Sequence, residues 1–230
     1  MSLHQQALIS YLSGFAKPER LDVLQRILDQ RTRFLTVVLE DIYYSQNASA
    51  VLRTCECLGI QDLHIIENNH DYDLNPAVVR GASKWINVLR YNSKKADNTG
   101  TCMEKLKQQG YKIVAMALDQ KSIDLENLPI DQKLALCFGT EETGLSKRLI
   151  ELSDYCVRIP MQGFTQSYNL SVSAGISLYS LAGRIRKSET KWQLAANDRS
   201  SLYIKWLVKS IPEGKKLMNR FLQEQDEAVP

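Results

Sequence analysis

The chain has 230 residues, 44% of them hydrophobic and 24% charged, with a formal net charge of +3. That length holds one sizeable domain with appended elements, or at most two small ones, and the composition is ordinary for a globular protein. No apolar run approaches the roughly 18 residues of a membrane span, and the opening MSLHQQALISYLSGFAKPER has no basic segment ahead of an apolar core, so no secretory signal is read there and a cytoplasmic location is expected.

Two helical stretches come first. In the second, Pro18 occupies a first helical position, and Leu21, Leu24, Ile27 and Leu28 recur at helical spacing. TVVLEDI (36–42) reads as a buried strand. Asn47 is placed to cap a helix running to Leu58, with Gly59 as its terminator. Strands follow at 62–67 and 86–91, then a helix closed by Gly110 and strands at 112–118 and 133–139. A short helix from Ser146, a strand at 155–160 and a long helix from about Asn169 to Lys187 complete the series. The tail, 188–230, reads as helical and polar. Strands alternating with helices, and apolar runs that are continuous rather than alternating, predict an α/β fold: a parallel sheet covered on both faces. The divisions expected are 1–33, 34–187 and 188–230.

Charge is uneven along the chain. Residues 184–220 carry a net +7, which leaves −4 for the remainder. A near-neutral body with a basic arm suits a polyanionic partner, although a solvated amphipathic helix has the same composition. The five cysteines are scattered, Cys55 and Cys57 form a lone C-x-C, and the three histidines share no ligand spacing. Reduced structural thiols and no metal site are expected.

Ligands of open parallel sheets bind beyond the carboxyl ends of the strands. Three loops there open onto helices and are rich in Gly, Asn, Ser and Thr: YYSQNASAVLRT, GTEETGLS and MQGFTQSYNLSVS. They are not the common nucleotide loops. GTEETG puts Thr140 and Glu141 where a dinucleotide fingerprint needs bare backbone, and no P-loop or GxSxG elbow is present.

NASAVLRT (47–54), FGTEETGLS (138–146) and IPMQGFTQSYNLSVSAGISLY (159–179) resemble, in order, the three signature motifs of the SpoU, or TrmH, family of RNA ribose methyltransferases. The resemblance spans roughly 35–187, and the terminal segments look like the extensions of the tRNA guanosine-2′-O branch. It implies a SPOUT fold with a C-terminal trefoil knot, a homodimer, S-adenosyl-L-methionine (SAM) as methyl donor, and a tRNA ribose 2′-hydroxyl as acceptor, the D-loop guanosine at tRNA position 18 foremost. A ribosomal RNA guanosine or another tRNA ribose is the alternative, as is a non-catalytic RNA-binding protein of the same fold; the latter would show degraded motifs.

By residue-by-residue match the catalytic set is Arg53, Asn47, Glu141, Ser167 and Asn169. Arginine keeps its proton to a pKa above about 12, so Arg53 is read as orienting the hydroxyl, holding a phosphate and stabilising alkoxide charge rather than as a plain base. Asn47 and Glu141 would position it, Glu141 as a bidentate partner. The donor pocket is matched to Met116, Gly139, Ile159, Met161 and Tyr168; Tyr168 stands where the family usually has leucine. Phosphate contacts are assigned to Arg184, Arg186, Lys187, Lys191, Lys205 and Lys209, with Arg31, Arg33, Arg80 and Lys84 as additions, and Trp85 is read as core.

Overall fold

The computed structural model describes residues 3–73, 75–119 and 121–227. In chain order these form helices α1 (Leu3–Ser13) and α2 (Pro18–Leu28), strand β1 (Leu35–Glu40), helix α3 (Ser45–Cys57), strand β2 (Asp62–Ile66), one turn of helix α4 (Pro76–Val79) and strand β3 (Asn87–Tyr91). Helix α5 (Asn98–Gln108), strands β4 (Tyr111–Met116), β5 (Ile123–Asp124) and β6 (Lys133–Phe138), and helix α6 (Lys147–Leu152) come next. Strand β7 (Tyr155–Arg158) and helices α7 (Leu170–Lys187), α8 (Ala196–Ser210) and α9 (Gly214–Glu227) complete the chain. Two compact units result: residues 32–192, and the chain ends, Met1–Arg31 with Gln193–Pro230.

All the strands belong to one parallel sheet in the order β3-β2-β1-β6-β4-β7-β5. β1 is buried along its whole length, as a parallel strand covered on both faces must be. Its side chains alternate between two cores. Leu35, Val37 and Leu39 pack with Val51, Leu52 and Cys55 of α3 and with Leu170, Ala174, Leu178 and Leu181 of α7. Val38 packs instead with Met103 and Leu106 of α5 and Leu149 of α6. Thus α3 and α7 cover one face, and α5 and α6 the other.

Among the boundaries that differ from the pattern, two have a clear local reason. β1 stops at Glu40, short of the expected 42, because Asp41 turns left-handed (φ 54). α3 begins at Ser45, after an extended Tyr44 that caps without using its side chain, so Asn47 is not the cap and sits inside the first turn.

In the terminal unit the tail is less polar than expected. α8 buries Leu202, Tyr203, Trp206 and Leu207. Arg31, expected at the surface, is 1% exposed, its guanidinium 5.1 Å from the Trp206 ring. Arg199 pairs with Asp29 and also donates to Gln25.

Candidate active site

Because the strands are parallel, their carboxyl ends share one edge, where the β1–α3, β6–α6 and β7–α7 connections emerge. Asn47 Nδ2 donates to Glu141 Oε1 at 2.6 Å, and Asn169 Nδ2 donates to Asn47 Oδ1 at 3.3 Å. Asn169 Oδ1 accepts from the Ser171 backbone N–H at 2.9 Å and from Ser171 Oγ at 2.6 Å. One residue from each motif is therefore joined in a single chain of amides and a carboxylate. Asn169 is both a helix cap and a link, whereas Asn47 is a link only, its amide freed because the cap lies at Tyr44.

Arg53 is not part of that chain. Six helical residues from Asn47 place it on another side of α3 and about 9 Å further along the axis. The expected bidentate pairing with Glu141 is absent: Arg53 is exposed and makes no hydrogen bond or ion pair among the described residues. It lines a groove of about 410 Å³ with Ala50, Thr54, Cys57, Val78 and Tyr179. Glu141 Oε2 is buried without a hydrogen-bond partner among the described residues. Ser167 and Tyr168 are exposed, Tyr168 at 43%.

β6, β4 and β7 are neighbours in the sheet, so Met116 at the end of β4, Gly139 after β6 and Ile159 after β7 stand on adjacent strand ends. Met116 and Ile159 are half-buried, packed on one side against the core, and Met161 is half-buried as well. The β6–α6 loop folds back on itself through reciprocal backbone bonds between Thr140 and Gly144, at 3.0 and 3.1 Å. A Cβ on Gly139 would lie 2.1 Å from the Gly144 carbonyl carbon, so only glycine permits the fold-back.

The basic residues divide. Arg184 donates to the carbonyls of Leu125 and Leu128, and Arg186 donates to the Leu58 carbonyl, its guanidinium 5.2 Å from the Trp192 ring. Both are read from the sequence as phosphate contacts; in the fold each gives donors to backbone carbonyls, and burial lowers the Arg186 pKa. Arg33 pairs with Asp62. Lys187, Lys191, Lys205 and Lys209 are exposed. Burial lowers the pKa of Lys209, with the charge of Lys205 adding to it.

A model of the SpoU rRNA Methylase family matches residues 34–179. The chain belongs to the SpoU rRNA methylase family. Among its relatives is the tRNA (guanosine(18)-2'-O)-methyltransferase of Borreliella burgdorferi, 47% identical over 198 residues that span 86% of this chain and 88% of the relative. The crystal structure of the Aquifex aeolicus TrmH/SpoU tRNA modifying enzyme superposes with a TM-score of 0.73 at 27% identity, over 84% of this chain and 98% of that one. A structure described as giving insight into 2-OH methylation of C/U34 on tRNA superposes with a TM-score of 0.53 at 26% identity, over 66% of this chain and 95% of that one. This SpoU methylase is thus a methyltransferase with the parallel α/β sheet of its family.

Sequence reasoning missed Glu40. It is 2% exposed at the end of β1, where its carboxylate accepts from Thr99 Oγ1 at 2.7 Å and from the Ser146 hydroxyl and backbone N–H at 2.8 and 2.9 Å. That anchors the β6–α6 loop carrying Glu141 to β1. The available signal was an acid ending an otherwise apolar run.

Proposed function

We propose that this SpoU methylase transfers a methyl group from SAM to a ribose 2′-hydroxyl of tRNA, with the guanosine at tRNA position 18 as target. The observation that carries the reading is the linkage of Asn47, Glu141 and Asn169, one from each motif, at the carboxyl edge of the sheet. The choice of tRNA rests on reach. The Borreliella burgdorferi match covers 198 residues, more than the 32–192 unit contains, so part of the terminal unit is shared with an enzyme named for guanosine 18. The C/U34 structure covers 66% of the chain, which favours that ribose less.

The proposed donor site fits its cofactor. Half-buried Met116 and Ile159 on neighbouring strand ends give apolar walls for an adenine, and Gly139, just past the strand at the other side of Met116, adds no side chain. Met161 and Tyr168 follow on the same loop. When bound, SAM supplies an electrophilic methyl on a sulfonium. The chain's own task is to orient the ribose and hold charge. Arg53, unpaired among the described residues beside an open groove, is available to hold an RNA phosphate and stabilise the oxygen as it loses its proton. Asn47 and Glu141 hold the loops in register, and Ser167 faces the substrate. Lys187, Lys191, Lys205 and Lys209 hold phosphates.

The family's trefoil knot, a cytoplasmic location and a homodimer belong to this proposal. The exposed apolar side chains of α7, Val172, Ile176 and Tyr179, lie three to four residues apart on one face and support a second copy as their cover.

The test is methyl transfer from labelled SAM to unmodified tRNA transcript, followed by nucleoside mapping. Label in 2′-O-methylguanosine from the D loop is expected. Arg53→Ala should lower kcat by about 100-fold or more with SAM affinity retained. Full activity in that variant would remove Arg53 from the catalytic set, and label in ribosomal RNA alone would move the substrate.

A further inference from the structure

The carboxyl ends of β1 and β2 carry an aromatic cluster that the reaction above does not use. Tyr43 and Tyr44 directly precede α3 and are 65% and 52% exposed. Their rings meet edge to face, centroids 5.0 Å apart and planes at 87°. The His70 ring meets Tyr43 in the same way, at 5.2 Å and 87°. Aromatic pairs favour this arrangement, and both tyrosines keep more than half of their surface exposed.

The backbone beneath the rings is held at both ends. Asp41 Oδ1 accepts from the N–H groups of Asn68 and Asn69 at 2.7 and 2.8 Å, and Oδ2 accepts from Asn69 Nδ2 at 2.8 Å. The N–H of His70 lies 3.4 Å from the same Oδ1, so the carboxylate docks the segment after β2 against the turn after β1. On the other side, the Tyr44 carbonyl accepts the Asn47 N–H at 3.0 Å, tying the pair to the residue that bonds Glu141.

We propose that Tyr43 and Tyr44, buttressed by His70, form a platform on which an unpaired base of the RNA substrate stacks. The inference rests on the RNA-methylation reading and deepens it. A ribose can be methylated only where its strand is accessible, and exposed RNA bases are held mainly by stacking on aromatic rings. Nine helical residues separate Tyr44 from Arg53, about 14 Å along α3, which is roughly four stacked-base rises of 3.4 Å. The platform therefore takes a base flanking the methylated nucleotide, not the target itself. Held in place before the RNA arrives, the rings give up little freedom on binding.

Stacking and phosphate contact leave different signatures. Tyr43→Ala and Tyr44→Ala should each raise KM for tRNA by about five- to a hundred-fold. The change in kcat should be smaller, SAM affinity should be unchanged, and so should the slope of affinity against salt, because no cation is lost. Tyr43→Phe and Tyr44→Phe should stay within about two-fold of the parent. A Tyr44→Trp variant should lose fluorescence when a short single-stranded RNA oligonucleotide binds. Unchanged KM in both alanine variants overturns the platform, as do phenylalanine variants no better than alanine. If the parent transfers nothing to tRNA, the substrate reading fails instead, and the oligonucleotide decides: quenching upholds the platform, and its absence overturns it.

Discussion

Asn47 is the residue through which the three motifs are joined, and its two amide atoms do different work. Nδ2 satisfies Glu141 Oε1, and Oδ1 takes a hydrogen bond from Asn169. Asn47→Ala removes both and leaves Glu141 with neither oxygen satisfied from this direction, since Oε2 already lacks a partner among the described residues. The expected loss is about 1–3 kcal/mol, read as a lower denaturant midpoint at unchanged m-value. Asn47→Asp keeps the shape but sets a second carboxylate against Glu141, so it should be the less stable variant at neutral pH. Its deficit should shrink on acidification, because protonation removes one of the two repelling charges. An aspartate variant as stable as the parent at pH 7 would mean that the pair contributes nothing.

At the scale of elements, His64 on β2 tests how tightly the sheet and α5 close over a polar group. It is 3% exposed, its Nδ1 lies 3.0 Å from the Tyr91 hydroxyl on β3, and burial pulls its pKa from 6.5 to about 4 against the opposing charge of Asp62. The folded state thus keeps the ring neutral where the unfolded chain takes up a proton. Stability is fully present above pH 6.5 and is lost as pH falls from 6.5 towards 4, by at most about 1.4 kcal/mol per pH unit. A pH series of denaturation curves for His64→Phe should be shallower over that window; curves parallel to the parent would refute the assignment. The elements themselves were legible where burial is continuous. β1 and β6 read as continuous, largely apolar runs, and α7 as a long helix from about Asn169. Illegible parts depend on partners distant in sequence. Nothing in TVVLEDI announces that Asp41 turns left-handed to capture backbone after β2. The start of α3 is invisible because Tyr44 caps without a side chain, which made Asn47 look like the cap. β5 is too short to show a period. The motif residues could be located from the sequence, but which of them touch could not: Asn47 meets Glu141, and Arg53 stands apart.

For the whole molecule the question is which positive charges face a polyanion. Composition counts the net +7 of residues 184–220 as one arm, but a charge count cannot see acceptors. Arg184 and Arg186 spend their donors on carbonyls, Arg199 pairs with Asp29, and Arg220 pairs with Glu224 on the next turn of α9. Lys205 and Lys209 lie on α8. They stand one turn apart on α8, exposed, on the side away from buried Leu202, Tyr203, Trp206 and Leu207. Like charges at that spacing repel, a cost that a bound phosphate relieves. If they hold tRNA, the double variant Lys205→Ala/Lys209→Ala should weaken binding across all tRNAs and lower the slope of log affinity against log salt by about 2, one per lysine. Arg184→Ala supplies the contrast. It should leave that slope unchanged and lower thermal stability, because the Leu125 and Leu128 carbonyls lose their donor. A slope that falls in Arg184→Ala and stays constant in the lysine variant would reverse the assignment and put the phosphate contacts on α7.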